Sequence, residues 1–226
     1  METIRTIFFG DSFIACPGLP TSETWPALVE KNLVEQNLGG QFGARLELEF
    51  QIRSASQENT RGALERMQKD VQFAEPDIVV IQYGTNDSTH WLSNRGAPLV
   101  SQSAFRANLE EMIDRCRRFS IPRVVFLTSH KVALDRYDIN GLTPDQNTAI
   151  YDDITRVVAA RESCLVADVR DACGALDART ICQDDQIHVN QAGAKLYADV
   201  VTPVLKSTID GLMTLKSAKI PEHAHD

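Results

Sequence analysis

The sequence predicts a three-layer α/β/α domain built around a parallel sheet of about five strands. Short apolar runs bounded by turn residues recur along the chain, and several are continuous rather than alternating, as strands covered on both faces require. Amphipathic helical patterns separate these runs. Because strands that alternate with helices are joined by right-handed crossovers, this order predicts a parallel sheet with helices on both faces.

The predicted strands share continuous apolar composition and are residues 3–10 (TIRTIFFG), 44–52 (ARLELEFQI), 77–84 (DIVVIQYG), 122–129 (PRVVFLTS) and 163–169 (SCLVADV). The predicted helices alternate with them and cover residues 22–36, 60–71, 103–119, 143–161 and 191–212, with Asn190 as N-cap of the last. The 103–119 helix has the clearest apolar face, which comprises Phe105, Leu109, Met112, Ile113, Cys116 and Phe119.

Length and composition favour one domain. The chain has 226 residues, of which 43% are hydrophobic, enough for a single sizeable core. We place this domain at residues 1–213 and expect a loosely ordered tail at 214–226. The chain has 23 Lys and Arg against 31 Asp and Glu, a formal charge of −8, so nucleic acid is not an expected partner.

The chain start and the cysteines predict a cytoplasmic protein. A strand begins close to Met1, which leaves no room for a signal peptide, and no apolar stretch is long enough to insert across a bilayer. The five cysteines are odd in number and lack CxxC pairs, which favours reduced thiols over a zinc site or a redox motif. The sequence leaves the oligomeric state open.

Three short polar motifs follow or adjoin predicted elements at the carboxyl edge of the sheet, where parallel α/β domains bind ligands. The first strand ends in FFGDSF, which contains Ser12, and the third ends in YGTNDS, which contains Asn86. Near the end of the chain, DDQIH places Asp185 three residues before His188. Each motif alone is a weak signal, because the same residues commonly form turns and surface pairs.

Together the three motifs predict nucleophilic catalysis. Asp185 and His188 can share one turn, so that the carboxylate orients the ring and leaves the other ring nitrogen to take a proton. A serine hydroxyl is a poor nucleophile until such a base activates it, and Ser12 is the serine placed at the strand end.

The motifs GDS, GTND and DQIH, in this order from Gly10 to the final helix, resemble those of the SGNH hydrolases, also called the GDSL esterase/lipase superfamily. The resemblance implies a flavodoxin-like sheet and a serine esterase that forms an acyl-enzyme and needs no metal or organic cofactor. It implies that Ser12 is the nucleophile and an oxyanion donor, that Asn86 is a second donor, and that Asp185 and His188 complete the triad. The expected substrate is a small-molecule carboxylic ester, with short-chain acyl or acetyl esters preferred.

The chain departs from the family pattern at two positions. Phe13 replaces the leucine of the name motif, which is a packing position. The family's second motif also carries a glycine whose N–H is an oxyanion donor. Here the best-placed segment is RSASQENTRGAL, with Gln57 or alternatively Ser56 at that point. Either residue has a backbone N–H, but glycine is favoured where φ is unusual.

Further residues are candidates for the substrate site. We group Asp11, His90 and Trp91 there: Asp11 is expected to support the turn of the nucleophile, and the other two to line a pocket. An exposed loop explains His90 and Trp91 equally well, although the 88–102 connection is long enough to form a wall or lid. His130 fits a buried, hydrogen-bonded histidine better than a site residue.

Two other functions remain open at this stage. A non-catalytic flavodoxin-like module that binds a small ligand would keep the fold without needing Ser12, Asp185 and His188 together. A phosphoryl-transfer enzyme using Asp11 is less favoured, because the chain lacks a glycine-rich phosphate loop.

Overall fold

The parallel sheet predicted from the apolar runs is present. The computed structural model describes residues 2–38, 40 and 46–218. The strands are β1 (Glu2–Gly10), β2 (Leu46–Ser54), β3 (Ile78–Gln82), β4 (Arg123–Leu127) and β5 (Leu165–Ala167). They form a five-stranded sheet in the order β2-β1-β3-β4-β5, and every neighbouring pair is parallel. This is the flavodoxin-like order; residues 44–45 of the predicted second strand lie outside the described residues.

The helices alternate with the strands as expected. They are α1 (Ser12–Ala15), α2 (Trp25–Leu38), α3 (Thr60–Asp70), α4 (Gln102–Arg118), α5 (Pro144–Arg161), α6 (Val169–Cys173) and α7 (Gln191–Ala218). As predicted, Asn190 caps α7, because its Oδ1 accepts a hydrogen bond from the N–H of Gly193 at 3.1 Å. None of the helices in these ranges is long and apolar enough to cross a membrane.

The sheet separates two apolar cores. Successive strand residues point to opposite faces, so Phe8 packs with α2 and α7 while Ile7 and Phe9 pack with α3, α4 and α5. Both faces of the sheet are therefore covered, which explains why strands such as β3 are apolar at consecutive positions.

Two expectations from the sequence need correction. The side chain of Phe119 is 40% exposed, because α4 ends at Arg118 and the chain turns away from the apolar face there. The expected boundary at 213/214 lies inside α7, which continues to Ala218, so residues 214–218 are helical rather than part of a tail. Residues 219–226 lie outside the described part of the chain.

Gly10 allows the tight turn that follows β1. A Cβ at this position would lie 2.5 Å from Cγ1 of Ile14 and 2.6 Å from the carbonyl oxygen of Gln82. Any larger residue would push α1 away from the end of β3. Glycine at this position therefore lets the chain pass directly from the strand into the turn that carries Ser12.

Candidate active site

The three predicted motifs meet at the carboxyl edge of the sheet. Ser12 begins α1 directly after β1, and Asp11 caps that short helix by accepting the N–H of Phe13 at 2.9 Å. Asn86 follows β3, the strand beside β1. The chain order reverses between β1 and β3, and ligands of open α/β sheets bind at such a switch point.

Ser12, His188 and Asp185 form a continuous hydrogen-bonded chain. Nε2 of His188 lies 2.9 Å from Oγ of Ser12, and Nδ1 lies 2.6 Å from Oδ2 of Asp185. An ionised carboxylate can only accept, so the ring proton belongs on Nδ1, which leaves Nε2 free to accept the serine proton. The arrangement is that of a nucleophile, a base and a group that orients the base.

Asp185 is held in its turn by the backbone. Its Oδ1 accepts hydrogen bonds from the N–H groups of Ile187 and His188, each at 2.9 Å. Partial burial alone would raise the pKa of Asp185, but the hydrogen bond from His188 and those from the two backbone N–H groups lower it below the ordinary value. Asp185 is therefore ionised at neutral pH and able to stabilise a protonated His188.

The buried side chain of His130 contacts the turn that carries Asp185 and His188. It is completely buried; its Nε2 lies 2.7 Å from the carbonyl oxygen of Ile187, and its Nδ1 lies 3.0 Å from the hydroxyl of Tyr197. Burial lowers the pKa of His130 to about 4, so the ring is neutral. The expectation of a buried, hydrogen-bonded histidine is confirmed.

The side-chain amide of Asn86 is fixed by two acceptors. Its Nδ2 donates to Oδ2 of Asp11 at 2.9 Å and to the carbonyl oxygen of Glu58 at 3.0 Å. Both amide hydrogens are thus bonded within the protein, and a substrate oxygen would have to share or displace one of these bonds. Burial, with a smaller contribution from nearby Asp87, raises the pKa of Asp11 to about 7.

Gln57 adopts the backbone conformation that its glycine counterpart would favour. Its φ is +58°, in the left-handed region that non-glycine residues rarely enter. Gln57 also lines a pocket to which Asn86 contributes, whereas its neighbour Ser56 does not line it. Of the two candidates for the second backbone donor, the geometry therefore favours Gln57.

The pocket has a volume of about 290 Å³ and is lined by Gln57, Asn86 and Ile187, the last of which precedes His188, but by neither Ser12 nor His188. The rest of its wall comes from the loops after β3 and β4 and from the start of α5: Thr85, Ser88, Thr89, Trp91, Leu99, Val132, Leu134, Arg136, Asp138, Pro144 and Thr148. The sequence did not single out the residues after β4. The length of the connection between β4 and α5, residues 128–143, was the signal that could have identified them.

The three candidate substrate residues lie in different places. Trp91 lines the pocket and is 55% exposed. His90 lies outside this pocket. Its backbone forms an isolated antiparallel β-bridge with Pro98, and its Nε2 lies 3.3 Å from Nδ2 of Asn140. Asp11 is buried with both carboxylate oxygens hydrogen-bonded, so the structure places it beneath the site and not on the pocket wall.

Comparison with protein families gives one match over most of the chain. The family model described as the GDSL-like Lipase/Acylhydrolase family matches residues 8–196. This range begins within β1 and ends within α7, so it includes all three motifs.

Solved structures show the same fold. Acetyl xylan esterase AlAXEase is 22% identical, with a TM-score of 0.71 over 89% of this chain and 99% of that one. TesA is 23% identical, with a TM-score of 0.69 over 90% and 99% of the two chains. LAE5, an α/β hydrolase from the metagenome of Lake Arreo in Spain, is 22% identical, with a TM-score of 0.70 over 91% and 96%. At these identities the likeness establishes the fold alone.

One curated protein has a similar sequence. It is the uncharacterized lipoprotein YqeF of Bacillus subtilis (strain 168), which is 29% identical over 117 residues. The match covers 46% of this chain and 47% of YqeF, so it spans about half the length of that relative.

Proposed function

Because this chain belongs to the GDSL-like lipase/acylhydrolase family, we propose that it hydrolyses carboxylic esters through an acyl-enzyme on Ser12. The observation that carries the proposal is the hydrogen-bonded chain from Oγ of Ser12 through His188 to Asp185, with distances of 2.9 and 2.6 Å. A base within this distance of a serine, itself held by a carboxylate, is what nucleophilic catalysis requires.

In the first half of the reaction, Nε2 of His188 takes the hydroxyl proton while Oγ of Ser12 attacks the ester carbonyl. The tetrahedral intermediate then breaks its bond to the alcohol oxygen, which leaves with the proton from His188. In the second half, a water molecule gives a proton to His188 and attacks the acyl carbonyl. Collapse of this intermediate releases the carboxylic acid and restores the Ser12 hydroxyl. The chemistry needs neither a metal nor an organic cofactor.

The negative oxygen of each intermediate needs donors aimed at it. We assign this role to the N–H groups of Ser12 and Gln57 and to the side chain of Asn86. The turn after Gly10 places Ser12 at this edge, and the left-handed Gln57 and the bound amide of Asn86 lie in the wall beside it. Backbone donors that are fixed before the reaction stabilise the transition state without a reorganisation cost, whereas Asn86 has to share or exchange one of its two hydrogen bonds.

Short-chain acyl esters, acetyl esters among them, are the proposed substrates. The pocket of about 290 Å³ is at the small end of ligand pockets, which run from roughly 300 to 1,000 Å³. Trp91, Leu99 and Leu134 give it an apolar side suited to an acyl chain. We expect kcat/KM on p-nitrophenyl esters to be highest for short acyl chains and to fall once the chain exceeds the pocket. Rates that rise steadily to long chains would contradict this.

A fluorophosphonate probe tests the nucleophile directly, because it bonds covalently to activated serines. We expect labelling of wild-type protein and of Ser163→Ala, a control at an exposed serine next to β5 far from the site, and none of Ser12→Ala. Ester hydrolysis should follow the same pattern. Folded wild-type protein that neither labels nor hydrolyses esters would instead support a non-catalytic module that binds a small ligand. A cytoplasmic location and a single domain stay predictions.

A further inference from the structure

Arg66, on α3, uses all of its N–H donors at the carboxyl edge of the sheet. Its Nε lies 2.8 and 2.7 Å from the two carboxylate oxygens of Glu58, and its Nη1 donates to Asp70 at 2.8 Å and to the carbonyl of Arg53 at 3.2 Å. Its Nη2 donates to the carbonyl of Gly10 and to the hydroxyl of Tyr83, each at 2.9 Å. The five donors of one guanidinium are therefore engaged.

These partners belong to the segments that carry the three proposed oxyanion donors. Gly10 is two residues before Ser12, and Tyr83 is three residues before Asn86. Arg53, at the end of β2, leads into the segment of Gln57, and Glu58 directly follows Gln57. Arg66 thus joins the ends of β1, β2 and β3 at a single group.

Glu58 connects the guanidinium to the donors themselves. Its carboxylate also accepts the hydroxyl of Tyr83 at 2.6 Å, and its backbone carbonyl accepts the amide of Asn86 at 3.0 Å. The side chains of Arg66 and Glu58 are only 19% and 12% exposed, so this ion pair is poorly screened by water. Glu58 is thus held at both its side chain and its backbone, and the residue before it, Gln57, is the one with a φ of +58°.

We propose that Arg66 is a positioning residue that fixes the oxyanion donors, in particular the strained Gln57, relative to Ser12. The inference rests on the proposed esterase function. It explains how a chain that lacks the family's glycine keeps a backbone N–H in place: Gln57 stays left-handed because the Glu58 and Arg66 pair holds the segment.

Lysine cannot replace this group. Its ammonium has three donors on a single nitrogen and lacks the planar fork that reaches Glu58, Gly10 and Tyr83 together. The guanidinium also lies over the ring of Phe9, with Cζ 4.2 Å from the ring centroid. Arg66→Lys therefore keeps the charge and removes the geometry.

The first experiment compares Arg66→Lys with Arg115→Lys by steady-state hydrolysis of a p-nitrophenyl ester. Arg115 is a matched control, because it also pairs with a carboxylate, that of Glu111, and donates to a backbone carbonyl, that of Leu64, but contacts none of the site segments. We expect Arg66→Lys to lower kcat roughly tenfold to a hundredfold with KM within about twofold, since small misplacements of catalytic groups have effects of this size. Arg115→Lys should keep the wild-type kcat.

The second experiment separates positioning from folding. Glycine enters the left-handed region without a steric penalty, so Gln57→Gly removes the need to restrain residue 57. We expect the Arg66→Lys substitution to lower kcat at least threefold less in the Gln57→Gly background than in the wild-type background, each loss being measured against its own parent protein. A merely structural arginine would show no such difference.

Three results would overturn the proposal. The first is a folded Arg66→Lys protein with wild-type kcat, and the second is a loss that Gln57→Gly does not reduce. The third is a wild-type protein that fails to label or hydrolyse esters, which refutes the esterase function and this inference with it. If Arg66→Lys does not fold, Tyr83→Phe removes one bond to Glu58 with the charges intact. It should lower kcat severalfold, and an unchanged kcat in that variant would also overturn the proposal.

Discussion

The two sides of the candidate site are built differently. On the base side, Asp185 and His188 lie three residues apart, and the carboxylate bonds both the ring and the backbone N–H of His188. On the oxyanion side, Gln57 and Asn86 follow different strands and come together through Asp11, Glu58 and Arg66. One side is a local turn, and the other is a network of contacts between residues distant in sequence.

This difference explains how each side tolerates sequence change. The base side depends mainly on the identity of two side chains, because they lie in one turn, which His130 supports through the carbonyl of Ile187. On the proposed oxyanion side we expect a residue other than glycine to suffice at position 57, because every non-proline residue has a backbone N–H and the surrounding network can hold an unfavourable φ. Substitutions on the base side should therefore affect the chemistry most, and those on the oxyanion side should have graded effects.

The largest effect is expected on the base side. His188→Ala removes the general base and should lower kcat by roughly 10⁵ to 10⁶, whereas Asp185→Asn keeps the ring but loses its orientation and should lower kcat by roughly 10⁴. Steady-state hydrolysis of a p-nitrophenyl ester measures kcat of both variants. Equal, small losses in the two variants would contradict the division of roles.

An intermediate effect is expected from Asn86. Removing one oxyanion donor typically costs roughly a hundredfold to a thousandfold in kcat, so Asn86→Ala should show a loss of this size with little change in KM. Asn32→Ala is the control, because Asn32 bonds Thr202 between α2 and α7, away from the site. If Asn86→Ala loses less than tenfold, its amide serves only to bind Asp11 and Glu58, as in the resting structure.

The sequence predicts the two sides unequally for a physical reason. Strand and helix positions follow from apolar patterns, and the contact between Asp185 and His188 follows from their spacing. The contacts of Arg66 cannot be predicted in this way. Its partners include the backbone carbonyls of Gly10 and Arg53, and every residue has a backbone carbonyl whatever its type. An arginine in an amphipathic helix such as α3 is typical of a solvated face.

The sequence also predicts the position of site residues better than their contacts and backbone conformation. The order of strands and motifs predicted that Ser12, Asn86, Asp185 and His188 lie at one edge of the sheet. The structure shows Ser12, His188 and Asp185 within hydrogen-bond distance of one another in a chain. Their catalytic roles stay predictions. The choice between Ser56 and Gln57 needed backbone dihedrals.

A smaller effect concerns stability and pH on the oxyanion side. Burial raises the pKa of Asp11 to about 7, so the folded protein binds this proton more tightly than the unfolded chain does. The resulting stabilisation is full below the ordinary aspartate pKa and is lost as pH rises through about 7. Asp11→Asn should remove this dependence.

Urea denaturation at several pH values measures the pH dependence of stability that Asp11 causes. The free energy of unfolding of wild type, relative to that of Asp11→Asn, should fall by on the order of 4 kcal/mol between pH 4 and 8. Asp152, whose pKa burial raises to about 6, contributes alike to both proteins and cancels. Asp87, whose pKa burial also raises to about 6, interacts with Asp11, so the difference reports Asp11 together with this interaction. A difference that rises with pH would mean that the hydrogen bonds of Asp11, rather than burial, dominate.

The smallest effect is expected at Gln57 itself. If only its N–H acts, Gln57→Ala should keep kcat within about threefold, because alanine retains the N–H and faces the same left-handed penalty. Gln57→Gly should relieve that penalty, which is about 1 to 2 kcal/mol, and raise the free energy of unfolding by part of it, since glycine also gains freedom in the unfolded chain. Proline is uninformative here, because its φ near −65° cannot match +58°. A hundredfold loss in Gln57→Ala would instead mean that the side-chain amide contacts the oxyanion, and the oxyanion side would then depend on side-chain identity as the base side does.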